Sequence, residues 1–308
     1  MALPPSSPAP AHAHAHDLFA SGVHDTRRRG ARNRRPARLA LSCLRAVILA
    51  LAVPLGLMLA FGGSALASCQ LLAGGDWITG AAPVHLAALE RDQVGITYIG
   101  HATFELETPT GVRIATDYNN VHRPARLPRV ITMNGAHSTH FTLNPDPDIE
   151  HVLFGWNPDG GPMDHDLTVG DVRIRNLQTN IRGWDGETRR LGNSIFVFEV
   201  ADLCIAHLGH LHHRLTQDDL ARLGTIDIVF APVDNASTLR LDSLVEVIKA
   251  VSPRIVIPMH AYTYGSRESF TARMASEGFR IETSASPLYV ASRAALPAEQ
   301  TVLVLPER

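Results

Sequence analysis

Residues 76–308 are predicted to form a mixed α/β domain in which two sheets are sandwiched by helices. Three observations predict it. Short apolar, β-branched runs follow one another from Val94 to His207. From Thr216 onward, such runs alternate with segments whose apolar residues recur at helical spacing. The chain is 45% hydrophobic and 19% charged over 308 residues, enough apolar material for a sizeable core. Strands first and strand–helix alternation later fit layered sheets covered by helices. No repeat or linker divides this stretch, so a single domain is expected.

In order, Val94–Ile99, Thr103–Glu107 and Val112–Thr116 read as strands, the last two joined by the turn Pro109-Thr110-Gly111. Arg129–Met133, His151–Phe154 and Leu167–Leu177 follow, the last broken at Gly170-Asp171. Ser194–Val200 and Leu203–His207 form a hairpin around Ala201-Asp202. Thr216 is an N-cap with Asp218 and Asp219 in the first turn, opening a helix to Leu223. Ile226–Phe230 is a buried strand, Leu241–Val251 a helix stopped by Pro253, Arg254–Ile257 a strand and Ser266–Glu277 a helix.

Residues 1–75 read as an address. An Ala/Pro/Ser/His-rich start, with Ala-His alternation at His12, His14 and His16, is low complexity. The arginine block 27–45 then precedes an uncharged stretch from Ala46 to Gly75, the layout of a secretory signal. Leu66-Ala67-Ser68-Cys69 looks like a bacterial lipobox, in which Cys69 would carry lipid. Ala65-Leu66-Ala67 also satisfies a small-x-small cleavage site, and an uncleaved anchor is the third reading. All three place residues 76–308 outside the cytoplasm, and the favoured lipoprotein reading tethers them to the membrane at Cys69, on the periplasmic face of the envelope.

Charge excludes one class of partner. Residues 1–68 hold eight arginines and two acids, so the rest carries 20 basic against 28 acidic residues, a net of −8. An acidic domain has no nucleic-acid footprint. Cys204, within the apolar strand Leu203–His207, reads as a buried structural thiol.

The chemistry lies in histidines at strand ends: His137 and His140 in Gly135-Ala136-His137-Ser138-Thr139-His140, His210 in His207-Leu208-Gly209-His210, and His260 after Ile257-Pro258-Met259. Neutral imidazoles gathered at a sheet edge bind Zn²⁺ near pH 7, and such a centre activates water. His207, inside its strand, reads as a core residue. His122, His151 and His165 read as ordinary loop or strand-start residues. In His212-His213 the second is the better placed for the rim. Trp156, Trp184, Tyr262 and Tyr264 lie in loops of the kind that line pockets.

Five fragments occur in a telling order: Thr97-Tyr98-Ile99-Gly100-His101-Ala102-Thr103-Phe104, Thr116-Asp117, Gly192-Asn193-Ser194-Ile195-Phe196, Ile205-Ala206-His207-Leu208-Gly209 and Val256-Ile257-Pro258-Met259-His260. Together they resemble the metallo-β-lactamase-fold hydrolases, near ascorbate-6-phosphate lactonase and N-acyl phosphatidylethanolamine phospholipase D, over about residues 93–285. The resemblance implies a four-layer αββα sandwich with one or two metals at one sheet edge. It also exposes departures. The family's His-x-His-x-Asp-His loop is represented by Gly135, His137, Thr139 and His140, and its bridging aspartate by His210. The middle histidine has no counterpart near Thr179-Asn180-Ile181-Arg182.

The resemblance then implies one metal, Zn²⁺ with Fe or Mn as alternatives, held by His140, His210 and His260, with His137 as a fourth ligand or supporting partner. Asp117 and Asp234 are candidates to orient the activated water or take its proton. His101 is a candidate substrate-binding residue. The expected activity is hydrolysis of an ester, lactone or phosphodiester in a small-molecule or lipid-like substrate. The rival reading is a non-catalytic metal- or ligand-binding protein on a degenerate hydrolase fold, and iron or copper redox chemistry is a third.

Overall fold

The computed structural model describes residues 89–183 and 185–308. The expectations about the N-terminal address, Cys69 and Trp184 lie outside the described residues.

Within them the strands form two sheets. The first has the order β13-β1-β2-β3-β4-β5. It comprises β1 (Gln93–Gly100), β2 (Thr103–Glu107), β3 (Arg113–Ala115), β4 (Val130–Met133), β5 (His151–Phe154) and β13 (Leu288–Ser292). The second has the order β12-β14-β11-β10-β9-β8-β7-β6. Its strands are β6 (Asp166–Val169), β7 (Val172–Arg182), β8 (Thr188–Val200), β9 (Leu203–His207), β10 (Ile228–Pro232), β11 (Ile255–Met259), β12 (Arg280–Thr283) and β14 (Thr301–Val304). Three helices accompany them: α1 (Gln217–Leu223), α2 (Leu241–Val251) and α3 (Ser266–Ser276).

The inner faces of the two sheets share one core. Ile96, Phe104, Leu106 and Ile114 from the first meet Ile174, Phe198, Ile205, Phe230 and Ile257 from the second. The rings of Phe104 and Phe230 stack across the layers at 4.0 Å, a contact that contributes about 0.5–1.5 kcal/mol beyond its buried area. The outer face of the second sheet is covered by helices: Val197, Ala206, Val229 and Val256 pack with Leu244 and Ile248 of α2 and Phe270 and Met274 of α3. On the outer face of the first sheet, Ile131 and Met133 are covered by loop side chains, Phe141 and Trp156 among them. The mixed α/β class with paired sheets is the one expected from the sequence.

Local chemistry sets the element ends. Thr216 caps α1 in a capping box: its hydroxyl accepts from the Asp219 amide while the Asp219 carboxylate accepts from the Thr216 amide. Cys204 is buried on β9 and disulfide-bonded, which corrects the thiol expected there. The β7–β8 hairpin pairs from Arg173↔Glu199 out to Arg182↔Thr188, longer than the sequence pattern implied.

Topology fixes where function can sit. β3 and β4 run parallel in the first sheet, and β9, β10 and β11 run parallel in the second. The segments just after β1, β3, β4, β9, β10 and β11 carry His101, Asp117, the 134–140 loop, His210, Asp234 and His260.

Candidate metal centre

These segments converge on one rim. The amide of His260, after β11, donates to the carbonyl of His101, after β1, at 2.6 Å and so ties the two sheets together. The imidazole Nε2 of His207 bonds the Ala102 carbonyl at 2.8 Å, a second tie. His101, Asp117 and His260 all adopt left-handed backbone, with φ of 53°, 41° and 56°. Such conformations cost of order 1–3 kcal/mol each in non-glycine residues and persist where surrounding structure enforces them.

Four imidazoles meet there. One ring nitrogen each from His101, His137, His140 and His260 lies within 4.8 Å of all the others. His140 and His260 are fully buried, and their Nε2 atoms face each other at 3.0 Å. Two nitrogens bound tetrahedrally at about 2.0–2.1 Å lie roughly 3.3 Å apart, so this pair is near the spacing of ligands sharing one ion. His210 flanks the group, its ring centroid 5.2 Å from His137, 5.0 Å from His140 and 5.2 Å from His260. Both of its ring nitrogens are buried without a hydrogen-bond partner, as is Nε2 of His101.

The carboxylates stand behind the rings. Asp117 is fully buried; its Oδ2 is 2.5 Å from His140 Nδ1 and its Oδ1 accepts from Asn134 Nδ2 at 2.9 Å. An Nδ1–H donated to Asp117 leaves the His140 Nε2 lone pair aimed at His260, a tautomer assigned from the network. Asp234 Oδ1 is 3.7 Å from His260 Nδ1, beyond hydrogen-bond reach, while its carboxylate accepts from Ser237 N and from the amide and hydroxyl of Thr238. Asp117 stands behind the His140 ring, in the place of a group that orients it, whereas Asp234 is held by Ser237 and Thr238 and makes no hydrogen bond to the His260 ring.

Burial sets the protonation states. It pushes His101 and His210 down to about 3 and His137 to about 4, with neighbouring imidazoles adding to the effect. His140 is held well below its usual value for the same reasons. Burial raises Asp117. For Asp234 burial pushes upward, but His260 and the Thr238 and Ser237 donors outweigh it and hold the carboxyl low. His101, His137, His140 and His210 are thus neutral imidazoles at pH 7, the form that ligates.

Residues assigned no role from the residue pattern shape the rim. Asn134 spans Asp117 and the Ser194 amide, and Asn193 accepts from the His210 amide at 2.7 Å. Gly209, at φ 59°, lets both approach: a Cβ there would lie 2.4 Å from Asn134 Nδ2 and from Asn193 Oδ1. The signal available was an asparagine at the end of a buried apolar run. His122, read as an ordinary loop residue, stacks on His101 with centroids 5.9 Å apart. His207 is a core residue, as read from its strand position.

Other candidates sort plainly. The imidazole Nε2 of His213 accepts from the Asn180 amide at 3.2 Å. Trp156 packs on Phe141 and Phe154, away from pocket duty. Tyr262 lies 5.1 Å from His260 with its hydroxyl on Ser237, and Tyr264 is fully exposed. At Gly135 a Cβ would meet Arg189 Nη2 at 2.9 Å and Trp156 at 3.0 Å, so a larger residue requires both side chains to shift. The Thr139 hydroxyl bonds His137 Nδ1 at 2.9 Å.

A two-sheet sandwich with imidazoles gathered at its strand ends defines a metallo-β-lactamase-type protein. The family model described as a β-lactamase superfamily domain matches residues 95–260, and the chain belongs to that family. A metal-dependent hydrolase of the UPF0173 group from Salinibacter ruber is 25% identical over 205 residues, 56% of this chain and 87% of the relative. A UPF0173 protein of Pyrococcus abyssi is 29% identical over 207 residues, 63% of this chain and 93% of its own length. Among solved structures, one from Thermotoga maritima, described as a Zn-dependent hydrolase of the metallo-β-lactamase superfamily, is 25% identical. It matches with a TM-score of 0.50 and covers 70% of this chain and 100% of its own.

Proposed function

We propose that the protein is a metal-dependent hydrolase with one divalent ion at the histidine cluster, acting on an ester, lactone or phosphodiester. One observation carries the metal. Asp117 accepts the Nδ1 proton of His140, so the His140 Nε2 lone pair faces His260 Nε2 at 3.0 Å, near the spacing of two ligands on one ion and within a group of four close-set imidazole nitrogens. A divalent ion there supplies Lewis acidity and activated water near neutral pH. Of the sequence-derived ligand set His137, His140, His210 and His260, the first, second and fourth contribute close-set nitrogens.

The chain's own groups do the rest. Asp117 fixes the His140 ring from behind. His210, neutral and with both nitrogens unpartnered, is placed to accept a proton or bond a substrate oxygen. Tyr262 and the stacked His122 border the site and restrict water at its edge. The UPF0173 relative named a metal-dependent hydrolase supports this reading. Elemental analysis of the purified protein with assay of an ester, lactone and phosphodiester panel tests it. One Zn²⁺, Fe or Mn per chain with turnover is expected; metal without turnover on any substrate gives the non-catalytic binder, and no metal sinks both.

We further propose that the domain works outside the cytoplasm, tethered through the 46–75 segment, where a small-molecule or lipid-like substrate reaches it. The basic-then-apolar order of that segment supports export. Among the described residues no helix is long and apolar enough to cross a membrane. Mass analysis of the mature N-terminus tests the anchor. A lipid on Cys69 leaves Cys204 no partner within the mature chain, so a lipidated N-terminus overturns the cystine and a retained cystine at Cys204 overturns the lipid in favour of the uncleaved anchor.

A further inference from the structure

We infer that His101 is itself a metal ligand, completing a four-imidazole shell with His137, His140 and His260 that contains no carboxylate. This rests on the metal-centre reading above and changes its ligand set: His101 enters, and His210 stays outside as a substrate-facing group.

Four independent features point to it. The ring nitrogen of His101 shares the 4.8 Å group with the other three, which His210 does not join. Its ring centroid is 4.1 Å from that of His260 and 5.1 Å from that of His140, closer to His260 than any other ring of the cluster. Its Nε2 is buried and has no hydrogen-bond partner, a costly state for a polar atom unless something else satisfies it. Its backbone is held left-handed by the His260 amide and the Tyr98 hydroxyl, both donating to its carbonyl, at 2.6 and 2.9 Å. A substrate contact alone does not account for so much enforced geometry around one side chain.

The chemical consequence concerns charge. Four neutral imidazoles leave the full double charge of the ion in place, whereas each carboxylate ligand would cancel one unit. Such a shell favours borderline ions such as Zn²⁺, Fe²⁺ or Cu²⁺ over Mg²⁺ and Ca²⁺, and pairs best with anionic or strongly polarised substrate oxygens.

Replacement of His101 by Asn tests the assignment, because Asn tolerates left-handed backbone and leaves both carbonyl bonds in place. The readouts are Zn²⁺ retention against a chelator and the visible spectrum of the Co²⁺-loaded protein, whose d–d intensity reports coordination number. His101→Asn is expected to weaken retention by more than the roughly 10–100-fold that orienting partners contribute. It is also expected to change the Co²⁺ spectrum, while His151→Gln, at a histidine outside the cluster that pairs with Glu150, changes neither. Wild type that loads with His101→Asn indistinguishable from it overturns this assignment alone. Wild type that takes up neither ion overturns the metal centre and this assignment together. A circular dichroism match between variant and wild type separates ligand loss from misfolding, and His101→Gly provides a second substitution compatible with the backbone.

Discussion

The amide of His260 donates to the carbonyl of His101 at 2.6 Å, joining two residues that both sit in left-handed backbone at the ends of strands from different sheets. Each strand end is thereby locked to the other. The rings they carry meet at 4.1 Å without any side-chain bond between them. The backbone, not the imidazoles, builds the cluster, so its shape should persist when individual rings are replaced.

Asp117→Asn is expected to reverse the tautomer of His140. The carboxamide nitrogen would donate to Nδ1, placing the ring proton on Nε2 where a lone pair is needed. Metal affinity should fall by about 10–100-fold with little loss of fold. Competition with a chelator measures it; unchanged affinity would remove Asp117 from the orienting role.

Gly209→Ala should be strongly destabilising. Left-handed backbone alone costs of order 1–3 kcal/mol, and the new methyl would overlap Asn134 and Asn193, each 2.4 Å away. Gly111→Ala is the control, with φ 82° and nothing within 4 Å. A larger shift in the urea midpoint for the former isolates the overlap; equal shifts would mean the asparagines give way freely.

Acid should weaken the metal-free protein through His207. Burial beside the stacked rings of Phe104 and Phe230 lowers it to about 4, against 6.5 when unfolded. A depressed folded value means the unfolded chain binds the proton first. The stabilisation is complete above pH 6.5 and is lost as pH falls toward 4, by roughly 3 kcal/mol at the far end. Urea titrations of chelated protein from pH 7 to 4 check this, and a flat profile contradicts it.

Gly135→His should not restore a ligand. The position is closed by Arg189, Trp156 and the Gly192 carbonyl, at 2.9, 3.0 and 3.1 Å from a Cβ. The variant is expected to lose stability and to hold no more metal per chain than wild type. A rise in stoichiometry would show that the pocket yields.

Much of this arrangement was legible from residue patterns. Thr103–Glu107, His151–Phe154 and Leu241–Val251 have the bounds their apolar periodicity implied. Their burial follows directly from alternation or helical spacing. β12 was not legible, being short with Arg280 and Ile281 exposed, whereas β13 (Leu-Tyr-Val-Ala-Ser) and β14 (Thr-Val-Leu-Val) carry apolar runs that the strand assignment from the sequence omits. The convergence of His137, His140, His210 and His260 was readable because each ends an apolar run. The roles of Asp117 and Asp234 were not, since which side of an imidazole a carboxylate occupies depends on how its strand end turns. His122 and Asn134 act through contacts with residues distant in the chain, which no local pattern records.

The first sheet is closed by β13, whose Ser292 pairs with Gln93 at the start of β1. During synthesis, β1 keeps an open hydrogen-bonding edge until residues 288–292 have left the ribosome. Productive folding is therefore expected to be slow and largely post-translational, with the naked edge of β1 the surface by which an immature chain would aggregate.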